Sequence, residues 1–222
     1  CRNLQLRGSD RIDALIREHT RIERPPLVPE FRLHLADKLV PLWQATEWQT
    51  AGPQAPPFWA FAWPGSQALA RYILDTPSTV RARRVLDFGS GSGLAAIAAA
   101  RAGASEVVAC DIDPRAAVVQ MLNARLNSVT FRALTSDPVG THPTADVILV
   151  GDVCYERDSS ERIIPWLRDL AASGVDVLLA DPGRSYAPSD GLDLLAVYDV
   201  ATLRELESVD LKRTRLWRLQ PS

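Results

Sequence analysis

The sequence predicts an α/β protein built on a mostly parallel sheet with helices on both faces. Three observations carry this. From about residue 64 onward, short apolar runs alternate with segments of helical period; a glycine-rich turn follows the first strong run; and several runs end on an aspartate. Parallel neighbours need crossover connections, and crossover helices cover both faces of the sheet. The strands therefore read as continuous apolar runs rather than as polar/apolar alternation.

The 222 residues, 46% hydrophobic and 23% charged, suffice for one sizeable core with a small appendage. We divide the chain into an N-terminal helix and aromatic, Pro-rich lid segment (1–62) and a main domain (63–222). In the first part, "SDRIDALIREHT" (9–20) places Ile12, Leu15 and Ile16 on one helical face behind a Ser/Asp start, and Pro25, Pro26 and Pro29 stop the helix. "FRLHLA" (31–36) alternates like a half-buried strand. "PLWQATEWQTAGPQAPPFWAFAWPG" (41–65) reads as a loop dense in Pro and Trp. Trp43 and Trp48 are expected to pack on the core. Trp63, just before a Pro-Gly turn and a helix start, is expected to wall a ligand.

The main domain opens with a helix over 66–75. Then "RRVLDFG" (83–89) is a strand, "SGLAAIAAARAG" (92–103) a helix, "SEVVACD" (105–111) a strand and "PRAAVVQMLNARLN" (114–127) a helix. "VTFRAL" (129–134) and "ADVILVGD" (145–152) are strands, "SSERIIPWLRDLAASG" (159–174) is a helix closed by Gly174, and "VDVLLAD" (175–181) is a strand. Two β-like runs in the tail, "LAVYDVATLRELES" (195–208) and "RTRLWRLQ" (213–220), can close the sheet as an antiparallel pair.

A net charge of −2 gives no electrostatic reason to expect a nucleic-acid or membrane partner. The most apolar stretch is too short and too interrupted to span a bilayer. Cys1, Cys110 and Cys154 stand at no metal-like spacing, so no metal site is expected and the chain reads as a reduced intracellular protein. His19, His34 and His142 are scattered and read as surface or packing residues.

In a fold of this kind ligands bind beyond the carboxyl ends of the strands. The first such loop, "VLDFGSGSG", has Asp87 followed by Gly89, Ser90, Gly91 and Gly93. The dinucleotide pattern fails because its last glycine position falls on Leu94, and no Gly-Lys-Ser/Thr occurs. An acid before the loop would repel a pyrophosphate and welcome a cation. Asp111 ends the next strand where a ribose is held in such folds, with Ile112 beside it. Asp137 offers an acceptor for an adenine amino group, although an Asp before Pro is also an ordinary turn residue. A nucleoside with a positive centre and no phosphates, S-adenosylmethionine, suits this set.

Here the chain resembles the class I, seven-strand methyltransferases, of Rossmann-like fold, over roughly residues 64–220. "PPFWAFAWPGSQALARYILD", "ACDIDP", "GDVCYE" and "LADPGRSY" together are similar to the lysine methyltransferases of the electron-transfer flavoprotein beta subunit. The resemblance implies transfer of methyl from S-adenosylmethionine to lysine of that subunit, with no nucleic acid or membrane partner. It places Asp152 and Tyr155, the Asp-x-x-Tyr of "DVCY", on the substrate side as catalytic and substrate-binding residues. Trp63 then walls both ligands, and Asp87, Gly89 and Asp111 take the cofactor side. Arg184 in "DPGRSY" is expected to touch either an acidic substrate surface or a structural ion-pair partner. A lysine of pKa about 10.4 needs roughly 4–5 kcal/mol to lose its proton at neutral pH. A carboxylate raises that cost, so Asp152 is better cast as a group that recruits and aligns lysine than as a strong base. We expect a monomer, cytoplasmic in a bacterium or in the mitochondrial matrix of a eukaryote. The competing readings are a methyltransferase for another protein, such as a ribosomal protein, or for a small amine, and a non-catalytic S-adenosylmethionine-binding protein. A nicotinamide dehydrogenase is disfavoured by the loop pattern.

Overall fold

The computed structural model describes residues 8–50, 52, 54–202 and 210–221. Cys1, and the part of the first tail run from 203 to 208, lie outside the described residues. The order is α1 (Gly8–His19), β1 (Arg21–Glu23), β2 (Leu33–Leu35), α2 (Leu39–Thr50), α3 (Pro64–Asp75), β3 (Arg84–Phe88), α4 (Leu94–Arg101), β4 (Glu106–Asp111), α5 (Pro114–Leu126), β5 (Arg132–Thr135), β6 (Val147–Gly151), α6 (Arg157–Ala172), β7 (Asp176–Asp181), β8 (Leu192–Ala201) and β9 (Leu211–Leu219).

Seven strands form one sheet in the order β5-β4-β3-β6-β7-β9-β8. The first five are parallel to one another, and β9 runs antiparallel to both β7 and β8. Alternation along each strand sorts the core into two layers. Val85, Val147 and Leu149 bury against Leu69, Ile73 and Ile97 of α3 and α4. Leu86, Phe88, Ile148 and Val150 bury against Ile163, Trp166 and Leu167 of α6. Strands β3 and β6, buried but for Arg84 and Gly151 at their ends, carry the continuous apolar runs that the sequence showed.

A third cluster ties the N-terminal segment to this body. Leu15 and Ile16 of α1, Leu42 of α2, Trp59 and Phe61 pack with Val119 and Leu122 of α5. The short antiparallel pair β1–β2 is pinned by amides of α5 and of the residue that caps its end. Asn123 Oδ1 accepts from the His34 backbone N–H at 2.8 Å, and Asn127 Oδ1 accepts from the Arg32 N–H at 3.0 Å. His34 is buried, and that burial pushes its imidazole below the ordinary range, so it is a packing residue. His142 is exposed and His19 half-buried.

Three expectations for this segment are corrected. Residues 39–50 are helical rather than loop, because Pro41 sits in the first turn of α2, where a missing N–H costs nothing. All three residues of β2 are buried, since the segment is sandwiched rather than half-exposed. Trp43 is half-buried and donates from Nε1 to the Gln54 carbonyl at 2.8 Å, but Trp48 is 89% exposed and packs on nothing that would bury it.

Candidate active site

β3 has β4 on one side and β6 on the other, so successive crossovers leave it in opposite directions. A crevice opens at the carboxyl ends of these strands. It forms a cavity of about 420 Å³ lined by the glycine loop, the ends of β4 and β6, the 55–63 segment and the turn after β7.

The glycine loop is held from below. Asp87, 3% exposed at the end of β3, turns inward: its Oδ2 accepts from Ser90 Oγ at 2.6 Å and from the Ala96 N–H at 3.0 Å. Gly93 has φ +82, and a Cβ there would meet Gln120 Cγ at 3.1 Å, so it lets α4 start against α5. Asp87, Ser90 and Gly93, expected on the cofactor side, do not line the cavity but support the loop that does. Gly89 and Gly91 do line the cavity. Burial raises the Asp87 carboxyl to about 7, against the lowering effect of its two donors. The unfolded chain loses this proton near pH ~3.9, and the native protein keeps it to higher pH. The native state therefore holds more protons between about pH 4 and pH 7, and stability falls as pH rises through that window. Asp87→Asn, which can still accept both hydrogen bonds, is expected to flatten that decline when urea midpoints are compared at pH 4.5 and 7.5; an unchanged slope would refute the assignment.

Asp111 stands at the crevice as its strand position predicts. Its Oδ2 accepts from the Gly91 N–H at 2.8 Å and its Oδ1 from the Asp113 N–H at 3.0 Å, which locks the end of β4 to the glycine loop. Burial raises its carboxyl despite these donors. Ile112, 73% exposed, and Asp137 also line the cavity. Asp137 is tied into its own turn by the Val139 N–H at 3.1 Å and pairs with Arg162 of α6 at 2.6 Å. It is thus both the turn residue and the rim residue that the sequence left open.

Asp152 follows β6 directly, with φ +57, a left-handed backbone that a short polar residue tolerates better than most. It is 8% exposed. Its Oδ2 accepts from the Gly65 N–H at 2.5 Å, capping the start of α3, and its Oδ1 accepts from Arg184 Nη2 at 3.0 Å. Arg184 also lies over the Trp63 ring, 5.7 Å from its centroid. Of the two roles left open for Arg184, the ion pair is present, and the residue also lines the cavity. Burial pushes the Asp152 carboxyl up to about 7, against Arg184, which favours its charge, and with Asp181, which opposes it.

The aromatic wall forms around this acid. Phe58 packs edge-on against both Trp63 and Tyr155, each with ring centroids 5.6 Å apart, and Trp63 Nε1 donates to the Phe58 carbonyl at 2.8 Å. Tyr155 is 46% exposed at the mouth, and burial of its inner part raises its phenol, which stays protonated at neutral pH. Trp63, Asp152 and Tyr155, which are 92 residues apart at the extremes, thus share one end of one cavity. Phe58, Gly65, Asp181 and Arg162 were not singled out from the sequence. The rule that drew attention to acids at strand ends applies equally to Asp181, the last residue of β7.

The lining suits S-adenosylmethionine. It contains Asp111, Asp113, Asp137 and Asp152 against Arg162 and Arg184, four acids to two bases, and no lysine. Both arginines are paired to lining acids. A cation is attracted and a pyrophosphate is not. Gly89, Gly91, Asp111 and Ile112 would hold the nucleoside, and the apolar wall of Phe58, Trp63 and Tyr155 would face the positive centre.

Comparison with known proteins agrees. The family model for ribosomal protein L11 methyltransferase (PrmA) matches residues 67–151. The electron transfer flavoprotein beta subunit lysine methyltransferase of Xenopus laevis is 37% identical over 94% of this chain and 87% of its own length. Its Homo sapiens counterpart is 34% identical over 95% of this chain and 82% of its own length. Among solved structures, the 16S rRNA methyltransferase RsmC of T. thermophilus, in complex with AdoMet and guanosine, aligns over 92% of this chain and 50% of that chain at 20% identity, with a TM-score of 0.58. That likeness fixes the fold as that of a class I methyltransferase. Identity at this level along nearly the whole chain, with the strand-end acids in place, shows that the chain is an S-adenosylmethionine-dependent methyltransferase and belongs to the electron transfer flavoprotein beta subunit lysine methyltransferase family.

Proposed function

We propose that this chain methylates lysine Nζ groups of the electron-transfer flavoprotein beta subunit. The observation that carries the reading is the junction of Asp152, Tyr155, Phe58 and Trp63 at one end of the cavity: a carboxylate at the base of an aromatic channel open to solvent. A lysine side chain fits such a channel because its methylene stem is apolar and its tip is polar. Bound S-adenosylmethionine supplies an electrophilic methyl group beside a positive sulfur. The work of the chain is then positioning. The aromatic rings align the stem and exclude water, and Asp152 accepts from an amine N–H so that the lone pair points into the cavity.

One observation bears on the ribosomal alternative. The L11 family match stops at Gly151, one residue before Asp152, whereas the flavoprotein-directed relatives align over 94–95% of the chain, through Asp152 and Tyr155. Individual ribosomal protein L11 methyltransferases match only about half of the chain, 51% and 49%, at 37–38% identity, which favours the flavoprotein-directed reading.

We further place the protein in a reducing compartment, the bacterial cytoplasm or the mitochondrial matrix. Cys110 and Cys154 are free thiols, which supports that placement.

The test is incubation with radiolabelled S-adenosylmethionine, recombinant flavoprotein and a methylation-naive bacterial lysate, followed by mass spectrometry. Label on a lysine of the beta subunit is the expected result. Label on another protein keeps the chemistry and discards the substrate. Binding of S-adenosylmethionine with no labelled product would return the reading to a non-catalytic binding protein.

A further inference from the structure

We propose that Arg184 is a positioning residue for methyl transfer, set in place by the buried Asp181, and that it lets the substrate amine enter as a neutral base by cancelling the charge of Asp152. The proposal rests on the lysine-methylation reading above.

The observations form a chain. Asp181, the last residue of β7, is fully buried. Its Oδ1 accepts from the Gly183 N–H at 2.7 Å and from the Arg184 N–H at 2.6 Å, which closes a turn that needs φ +89 at Gly183. The turn aims the Arg184 side chain back across the end of β6. There it meets Asp152 Oδ1 at 3.0 Å and lies over Trp63. A long surface arginine would not otherwise hold one rotamer at an active site; here its backbone, its charge and its flat face are each engaged.

This matters because a bare carboxylate beside a lysine stabilises the ammonium, the form that cannot attack. Asp152 has one oxygen on Gly65 and the other on Arg184. It can still accept from an amine N–H through a remaining lone pair, but its charge is already answered. Asp181 adds a second negative charge that opposes ionisation of Asp152, and the remaining groups facing this point do not alter the balance. From the end of β6, burial keeps the Cys154 thiol neutral by pushing it up to about 12 and raises the phenol of Tyr155. From α3 comes only the Gly65 N–H. Asp111 of β4 lines the same cavity with both oxygens bonded to backbone, and Arg162 and Asp137 pair with each other. The charges nearest the amine are therefore Asp152, Asp181 and Arg184. Without Arg184, one additional proton stays on the Asp152–amine pair, on whichever partner, and must pass to solvent water before attack.

The test is the pH dependence of kcat at saturating protein substrate. Arg184→Gln is expected to move the acid limb upward by about one unit or more, and to lower kcat about tenfold at pH 7.5 with the deficit closing by pH 10. Arg184→Lys should restore most of the limb. Asp181→Asn, which keeps the acceptor of the turn, should not move the limb upward, whereas Asp181→Ala should reproduce Arg184→Gln. A loss of equal size at every pH, or an unshifted limb in a variant that still binds S-adenosylmethionine by calorimetry, would overturn the proposal. A second readout needs no variant. Binding of the flavoprotein beta subunit to the wild-type enzyme with S-adenosylhomocysteine, measured at pH 7.5 in buffers of different ionisation enthalpy, should release about one proton, since a lysine of pKa ~10.4 arrives charged. No release would overturn it. If the wild-type enzyme methylates no lysine of the flavoprotein, the functional reading fails, and the proposal with it.

Discussion

Asp152→Asn is expected to lower kcat for lysine methylation by about 10²-fold or more, while the dissociation constant for S-adenosylmethionine changes by less than about threefold. The Asp152 carboxylate bonds Gly65 and Arg184, whereas Asp111 is tied separately to Gly91 and Asp113, so the substitution leaves the hydrogen bonds of the nucleoside-side residues in place. Asparagine isolates the charge better than alanine does. It tolerates the φ of +57 at this position, and its carbonyl can still accept from the Gly65 N–H. It then presents an amide donor, rather than an acceptor, to Arg184 and to an incoming amine. The half-buried guanidinium of Arg184 loses this ion pair as the amine loses its acceptor. Single-turnover methylation, together with calorimetric titration of the cofactor, separates the two effects. Turnover at the wild-type rate would remove Asp152 from the role assigned to it.

The second large effect is on stability. Gly65→Ala should cost about 3 kcal/mol and lower the melting temperature by roughly 6–12 °C. A Cβ at this position would stand 2.5 Å from Asp152 Oδ2, 2.7 Å from the Ala180 carbonyl oxygen and 2.9 Å from the Asp152 backbone nitrogen. Two of those three atoms are backbone and cannot swing aside. Gly151 repeats the constraint from the other side: a Cβ there would lie 3.0 Å from the Ser66 nitrogen. The start of α3 thus rests directly on the ends of β6 and β7, and the Trp63 wall is fixed at the same point. Scanning calorimetry of Gly65→Ala checks this, and an unchanged midpoint would mean that the helix start gives way freely.

What could be read in advance follows from the range of each interaction. The parallel sheet, its helices and the acids at Asp87, Asp111 and Asp152 were legible because periodicity and strand endings are local properties of the chain. Helix α2 was not, since Pro41 and the crowd of tryptophans imitate a loop and only the contact of Leu42 with α1 and α5 reveals its packed face. The direction of a side chain was also hidden: Asp87, last but one in β3, and Asp111, last in β4, both read as strand-end acids, yet Asp87 turns beneath the loop while Asp111 faces the cavity. The coupling of Asp181, Arg184 and Asp152 spans 32 residues of chain and depends on β6 lying beside β7, which no local pattern contains. Trp48 was misplaced for the opposite reason. Burial is the usual fate of tryptophan, and here the helix turns it outward.

The two margins of the sheet are unequal. β5 ends it on one side with four residues, whereas β8 ends it on the other with ten. A long outer strand offers unsatisfied backbone groups to any other chain that meets it, and is a template for polymerisation. Here the ladder with β9 slips between Leu194 and Ala196, and Asp193 and Asp199 interrupt the strand with charge. A second molecule approaching in extended form finds a bent border carrying the exposed Asp193 and Asp199 rather than a flat apolar one. Replacing both aspartates with valine is expected to promote linear self-association at high concentration, which light scattering would register.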